Sequence, residues 1–400
     1  MHKLAAVLLG LGGIVGVLAA ATVLLPGDQA DAANLVGSVP YNGPAGAAGI
    51  EAACAGSDVV HCATADLEAL LLAKGSVVAF ETLDELTRLD ATVNAQSHPM
   101  AHELGGYAFV AYGGIHPALA NCSYKVFQGC LHGALQAYFE TVPAITPVVV
   151  RNTCPTPKSD FDKYACLHGL GHGLFLNKGS LNPALELCDQ LPDNFGQESC
   201  WGGAFMENFV GWLDGQAGAS HHHAHAAEQA YMIDRTRPQY PCDSVADRHQ
   251  GECWLMQTSL ILDYNGGDFA AAARICDVAG LGTTGGAGTW TDACYRSLGR
   301  DASAYSARDP ASAEAKCALG SEHGRPLCIA GFVSEAIDND ADPTTGLAKC
   351  APLQAVDKTP CYTEMARVSQ QLWTDAGKRA ELCGRVEADY QALCRTNANV

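Results

Sequence analysis

Apolar residues recur at helical spacing after regularly placed cysteines. They fall one and four positions beyond the cysteine, and positions three apart lie on one face of an α-helix. Each such pair predicts a helix with one buried stripe that faces its neighbours. The pairs are Leu167/Leu170, Tyr295/Leu298, Ile329/Phe332 and Tyr362/Met365.

A shorter helix is predicted before each of these, ending at an earlier cysteine. In one unit it runs from Asp342 to Cys350, with Asp342 as the N-cap and Pro343 at the first helical position. Both residue types are frequent there, and the same dipeptide recurs at Asp309. About ten loop residues follow, and the second helix opens at the second cysteine. Each unit is therefore predicted to be a helical hairpin.

The units repeat along the chain. Cys317, Cys350 and Cys383 are each 33 residues apart, and Cys154 and Cys188 are 34 apart. A period of this length is typical of helix-turn-helix repeats that stack side by side. We therefore predict an all-α fold, an α-solenoid of disulfide-stapled helical hairpins with a period of about 33–36 residues.

The chain has 18 cysteines, more than is usual for a protein of a reducing compartment. This number favours disulfides over free thiols. Thiolate metal sites are the less favoured alternative, because the C-x2-C spacing of zinc sites is absent. A local bond would close a loop of a dozen residues and contribute roughly 3 kcal/mol. The periodicity favours the pairs 54–62, 122–130, 154–166, 188–200, 242–253, 276–294, 317–328, 350–361 and 383–394.

Paired cysteines in a helical hairpin of about 34 residues resemble the cysteine-rich Sel1-like relatives of tetratricopeptide repeats. The resemblance begins at about Cys122 and rests on the period and the staples. It implies an α-solenoid and, for many such proteins, a binding role. The length of the loop between paired cysteines varies here from unit to unit.

The N-terminal segment predicts export. Residues 4–25 carry no charge, so they form either a membrane anchor or a signal peptide that is cleaved near Ala30-Asp31-Ala32. Either alternative places the rest outside the cytosol, secreted or anchored. The predicted regions that follow are a flexible tether (26–52), histidine-bearing repeats (53–212), a His-rich insertion (213–241) and C-terminal stapled repeats (242–400).

The charge of the chain limits its partners. With 43 acidic and 24 basic residues, its net charge is -19. Such a surface repels phosphate backbones, so we expect no nucleic-acid partner. A protein or an envelope polymer outside the cell is compatible with it, and the sequence identifies no small-molecule substrate.

The histidines follow the register of the repeat. His132 and His168 lie two residues after the second cysteine of their units, and His172 lies six residues after it. If Gln96 takes the cysteine position one unit earlier, His98 and His102 fall at the same two places. Positions two and six lie on a different helix face from the apolar stripe. The sequence therefore predicts one continuous row of histidines across three stacked helices.

Histidines four residues apart on a helix can chelate one metal ion, and both His98/His102 and His168/His172 are such pairs. We expect His98, His102, His132, His168 and His172 to bind a transition metal, which could be Cu, Zn, Fe or Mn. Glu103 and Glu207 are the candidate catalytic carboxylates of a metalloenzyme. A histidine-lined pocket without metal remains the alternative for this site.

His221, His222, His223 and His225 lie in the insertion, where the period breaks. They could scavenge metal, although a solvated loop is the more favoured interpretation. The leading functional hypothesis is an exported helical-repeat protein with a metal-binding site in its N-terminal repeats. The competing hypothesis is a non-catalytic extracytoplasmic scaffold of the Sel1 or tetratricopeptide type that binds a protein.

Overall fold

The computed structural model describes residues 34–154, 156–213 and 230–400. In these residues the chain is helical and forms no strand; the β-type pairing is a single bridge between Ser180 and Ala230. The all-α prediction is confirmed for this part of the chain.

The helices are short and long in turn along most of the chain. A π-helical turn, Glu207–Gly211, extends α11, and 3-10 turns are formed at Asp247–His249 and Ala388–Tyr390. The N-terminal helices are α1 (Gly46–Cys54), α2 (Val59–Lys74), α3 (Ser76–Leu89), α4 (Ala91–Ala95), α5 (Ser97–Ala111), α6 (Ile115–Asn121), α7 (Gly129–Thr141), α8 (Pro147–Asn152), α9 (Asp160–Lys178), α10 (Leu181–Cys188) and α11 (Asn194–Met206). The C-terminal helices are α12 (Gln250–Met256), α13 (Thr258–Tyr264), α14 (Phe269–Asp277), α15 (Thr291–Ala304), α16 (Pro310–Cys317), α17 (Gly324–Asp340), α18 (Thr345–Cys350), α19 (Ala355–Leu372), α20 (Ala376–Gly384) and α21 (Gln391–Ala398).

The short helices end at or next to the first cysteine of their units, as predicted. Asp309 caps α16 by accepting a hydrogen bond from the Ser312 amide. The matching prediction for Asp342 is wrong. Its carboxylate accepts hydrogen bonds from the Thr344 amide and hydroxyl within a turn, and α18 begins only at Thr345.

The long helices begin earlier than predicted, several residues before the second cysteine. In α9 the side chain of Ser159 accepts a hydrogen bond from the Asp162 amide, so this N-cap precedes Cys166 by seven residues. Gly179, with φ of 66°, ends the same helix in the left-handed region. The loops are correspondingly shorter, and the paired cysteines lie within the hairpin rather than at two facing helix ends.

The nine predicted disulfides are all confirmed, with Cα–Cα distances of 5.2–5.9 Å that lie in the range such a bond requires. No cysteine in the described residues is free. Nine local staples indicate an oxidising compartment. The predicted apolar stripes are also buried: Leu170, Tyr295, Phe332 and Met365 are all within the core.

Successive long helices pack unusually closely, because glycines face each other across the contact. A Cβ added to Gly171 of α9 would lie 2.0 Å from the carbonyl oxygen of Cys200 in α11. One added to Gly299 of α15 would lie 1.9 Å from that of Cys328 in α17. No side chain fits at such distances, so these helices touch through their backbones.

Helices of the N-terminal and C-terminal halves are in contact. Helix α9 packs against α19, which lies almost 200 residues further along the chain. In the loop before α7, the Val126 amide donates to the carbonyl oxygen of Asn339 (3.2 Å), and the Gln128 side chain donates to that of Asp338 (2.8 Å). These contacts join α7 and α9, which bear three of the histidines, to the C-terminal half.

The predicted membrane segment, residues 4–25, lies outside the described residues. Of the predicted tether, residues 46–52 instead belong to α1, whose Ile50 is fully buried. The Leu35 amide donates to the carbonyl oxygen of Ala111, which ties the chain to the helical body earlier still. Within the described residues, no helix combines the length and apolar character needed to cross a bilayer.

Candidate metal centre

The five predicted histidine ligands lie together in the interior. His98 and His102 belong to α5, His132 to α7, and His168 and His172 to α9. Ring centroids of neighbouring pairs are 4.3–6.0 Å apart. His98 is half-buried, and the other four are 1–8% exposed. The three helices therefore bring all five imidazoles into one cluster.

Three of the histidines have the geometry of a metal site. One ring nitrogen each from His98, His102 and His132 can be chosen so that all three lie within 4.8 Å of one another. His98 and His102 are one helical turn apart on α5, and His132 faces them from α7. Imidazole suits Zn, Cu, Fe and Ni among the common metals.

Glycine contacts correct the register of α5. Gly133 and Gly203 each lie three residues beyond the second cysteine of their unit. An added Cβ would lie 1.8 Å from the carbonyl oxygen of His102 in the first case and 1.9 Å from that of His168 in the second. His102 and His168 therefore occupy equivalent positions on successive helices.

The predicted alignment, which put Gln96 in the cysteine position and His98 in a row with His132 and His168, is thus wrong by one helical turn. His102 belongs to that row, and His98 lies one turn before it. The cause is that α5 has no cysteine to mark its register and the connection to α7 is shorter than in later units. The five rings still meet, because His98 and His102 share a helix face.

His172 is oriented by a carboxylate. Its Nδ1 lies 2.7 Å from Oε2 of Glu207, which also accepts a hydrogen bond from Gln136 (3.3 Å). Glu207 occupies the π-helical turn that follows α11 and is buried. A carboxylate on Nδ1 favours the tautomer whose Nε2 carries a lone pair, as in many metal-binding histidines. Glu207 therefore positions the ring of His172. Gln136, which like His172 lies six residues after the second cysteine of its unit, donates a hydrogen bond to the same carboxylate.

His168 faces away from the trio, toward α11. Its ring is 5.3 Å from that of His132 between centroids, but its Nδ1 lies beside Gly202. Hydrogen bonding to the backbone of Ser199 favours the protonated ring, whereas burial opposes it more strongly. His168 thus presents its Nδ1 to Gly202 of α11.

Burial keeps the inner imidazoles neutral. Desolvation lowers the pKa of His132 well below its ordinary value, and the neighbouring His172, His168 and His98 lower it further. Desolvation, followed by His172 and His98, likewise lowers the pKa of His168. Metal ligation requires the neutral imidazole, which is the form that burial favours for His132 and His168.

The structure does not bring Glu103 to the cluster. It is exposed, and it lies next to Glu68, whose pKa is raised to about 7 by burial first and by the charge of Glu103 second. One residue beyond His102 on α5, Glu103 is turned by about 100° around the helix. Glu103 thus lies on another face of α5 from His102, and its catalytic role stays a prediction.

Other candidate ligands are accounted for differently. Cys54 and Cys62 lie near Asp66, but the two sulfurs are bonded to each other and cannot ligate a metal. The side chain of Asn208 exchanges hydrogen bonds with the backbone of Met232, which makes it a structural residue. The four clustered histidines of the insertion lie outside the described residues.

Comparison of the chain with protein-family models, with curated proteins and with solved structures found no match in any of the three. The resemblance to Sel1-like and tetratricopeptide repeats therefore stays a prediction that rests on the period and the staples. The chemistry of the site is inferred below from its geometry.

Proposed function

We propose that this chain is an exported metal-binding protein whose metal ion is held by His98, His102 and His132. The observation that carries this proposal is the convergence of three imidazoles, with ligand atoms within 4.8 Å of one another, in the interior of the fold. Both ring nitrogens of His132 are buried without a hydrogen-bond partner in the described residues, which is costly unless a ligand binds there. A transition-metal ion among the three rings would be such a ligand.

Three protein ligands leave a coordination position for water or a substrate, which is the arrangement of catalytic zinc sites. His172 lies beside the trio, with its ring 5.6 Å from that of His102 and 4.9 Å from that of His132. Held by Glu207, it can take up a proton from a group bound there. This arrangement supports a metalloenzyme, with Glu207 acting through His172.

The setting of the site fits export. Nine disulfides require an oxidising compartment, and the uncharged residues 4–25 supply a route to one. The repeating hairpins and the packing of each long helix on the next support an α-solenoid that curves tightly enough to close over the histidines. In this proposal the staples hold the curvature, and the curvature assembles the site.

Calorimetric titration with Zn²⁺ tests the proposal. The wild type should bind Zn²⁺ at this site, and His102→Ala should remove one bound ion per chain or weaken its affinity by at least about 100-fold. Glu207→Gln should change the affinity much less than His102→Ala does, because the Glu207 carboxylate orients His172, which is not one of the three proposed ligands. His323→Ala is the matched control, because His323 is exposed and pairs with Asp292 far from the cluster.

The number of Zn²⁺ ions bound by each variant is compared with the number bound by the wild type, because any ions held by His221–His225 are common to all of them. Equal binding by the wild type and His102→Ala would refute the site. A folded wild type that binds no Zn²⁺, Cu²⁺, Fe²⁺ or Mn²⁺ would instead favour the non-catalytic interaction scaffold.

A further inference from the structure

A notch lies on the inner face of α11 at Gly202, beside the histidine trio but separate from it. The position that a Cβ of Gly202 would take is 3.4 Å from Nδ1 of His168 and 3.3 Å from Oε2 of Glu252. The two groups come from different helices, α9 and α12, and both face this one point. Any side chain at 202 would begin to fill the space between them.

His168 brings a lone pair to this notch. The residue is 2% exposed, and its Nδ1 has no hydrogen-bond partner in the described part of the chain. The backbone of Ser199 interacts with the ring as a hydrogen-bond acceptor, which leaves Nδ1 as the nitrogen without a proton. A buried nitrogen lone pair without a hydrogen-bond donor indicates a ligand that accepts an electron pair, such as a metal cation.

Glu252 brings a carboxyl group. In the described residues it makes no hydrogen bond or ion pair, although protein surrounds it so closely that burial raises its pKa to about 8. It nevertheless retains some accessible surface. Its Oε2 therefore faces the position of the missing Cβ at Gly202, where no protein partner is in hydrogen-bonding contact with it.

A third carboxylate is within reach. Glu198 lies one helical turn before Gly202 on α11, and its charge is felt by Glu252. Its side chain is exposed, so it can turn toward the notch without leaving a buried partner. One imidazole and two carboxylates are ligands that suit Zn, Fe and Mn.

We propose that the notch at Gly202 is a second divalent-metal site, with His168 and Glu252 as ligands and Glu198 completing the set. It is distinct from the histidine trio, which lies on α5 and α7, whereas α9 carries His168 here and His172 beside the trio. The chain would then hold two metal ions in neighbouring sites, one rich in imidazole and one rich in carboxylate.

Equilibrium dialysis against Zn²⁺ at a fixed free concentration, with metal counted by atomic emission, tests this site. We expect Glu252→Gln to bind one ion fewer than the wild type, because Gln keeps the size of the side chain but cannot supply a carboxylate. His102→Ala should also lose one ion, and the double variant should lose two. Gly202→Ala, which only narrows the notch, should weaken the second site while leaving the trio intact.

The outcomes separate the two sites. If Glu252→Gln and Gly202→Ala both hold as many ions as the wild type, the second site is wrong and the trio is unaffected. If Glu252→Gln loses an ion and His102→Ala does not, the second site stands and the proposed function fails. Urea unfolding of each variant shows whether a lost ion reflects a lost fold. If Glu252→Gln does not fold, the result for Gly202→Ala decides whether the second site exists.

Discussion

Replacing Gly133 with alanine should destabilise the protein by about 3 kcal/mol or more, at the upper end of what an added methyl group costs in a packed core. The new Cβ would lie 1.8 Å from the carbonyl oxygen of His102 and 2.6 Å from its carbonyl carbon. These are backbone atoms, so no rotamer change relieves the clash and α5 must move away from α7. Urea unfolding in the absence of metal measures the effect.

Gly106 supplies a matched control in the same helix pair. A Cβ there would meet Ala137 at 3.7 Å, which is an ordinary contact. Gly106→Ala should therefore be neutral or should stabilise the protein by about 0.5–1 kcal/mol through helix propensity. If the two alanine variants had the same stability, the backbone contact between α5 and α7 would be wrong, and so would the approach of His102 to His132.

The second large effect is on the pH dependence of stability. His132 and His168 have pKa values well below the ordinary value of about 6.5 because they are buried. The unfolded chain therefore binds more protons than the folded one below about pH 6.5. Their contribution to stability is complete above that pH and is lost as the pH falls, at up to about 1.4 kcal/mol per pH unit for each histidine.

Buried carboxyl groups act in the opposite direction. Burial raises the pKa of Glu252 to about 8 and that of Asp338 to about 7, so these two groups favour the folded state as the pH falls toward about 4.5. The quantity to measure is therefore the difference in free energy of unfolding between the metal-free wild type and the double variant His132→Gln/His168→Gln. Urea unfolding at several values from pH 7.5 to 5 gives it. The wild type should lose stability relative to the variant. Parallel profiles would show that these imidazoles are not buried in neutral form.

The architecture of the units could be predicted from the sequence because each unit carries two cysteines, one in each half of the hairpin. The period placed every disulfide, and the apolar positions after each second cysteine identified the buried stripe. Helix starts were less predictable. Ser159 begins α9 well before Cys166, since a local N-cap, and not the disulfide, decides where a helix opens.

The candidate site could be predicted as a set of residues but not as an arrangement. The register of α5 was wrong because Gln96 replaces the marker cysteine, and only the contact of Gly133 with His102 reveals the true alignment. The direction of a side chain also escapes a spacing argument. Glu103 adjoins His102 in sequence and is still exposed, whereas Glu252 faces the same point at Gly202 as His168, although the two are more than 80 residues apart.

The most direct test of the central claim is anomalous X-ray diffraction from crystals of the protein grown with Zn²⁺, recorded on both sides of the zinc absorption edge. The structure predicts a peak of anomalous density among the ring nitrogens of His98, His102 and His132, at about 2.0–2.1 Å from each. Zinc density elsewhere in the crystal, with none among these three imidazoles in a folded chain, would contradict it.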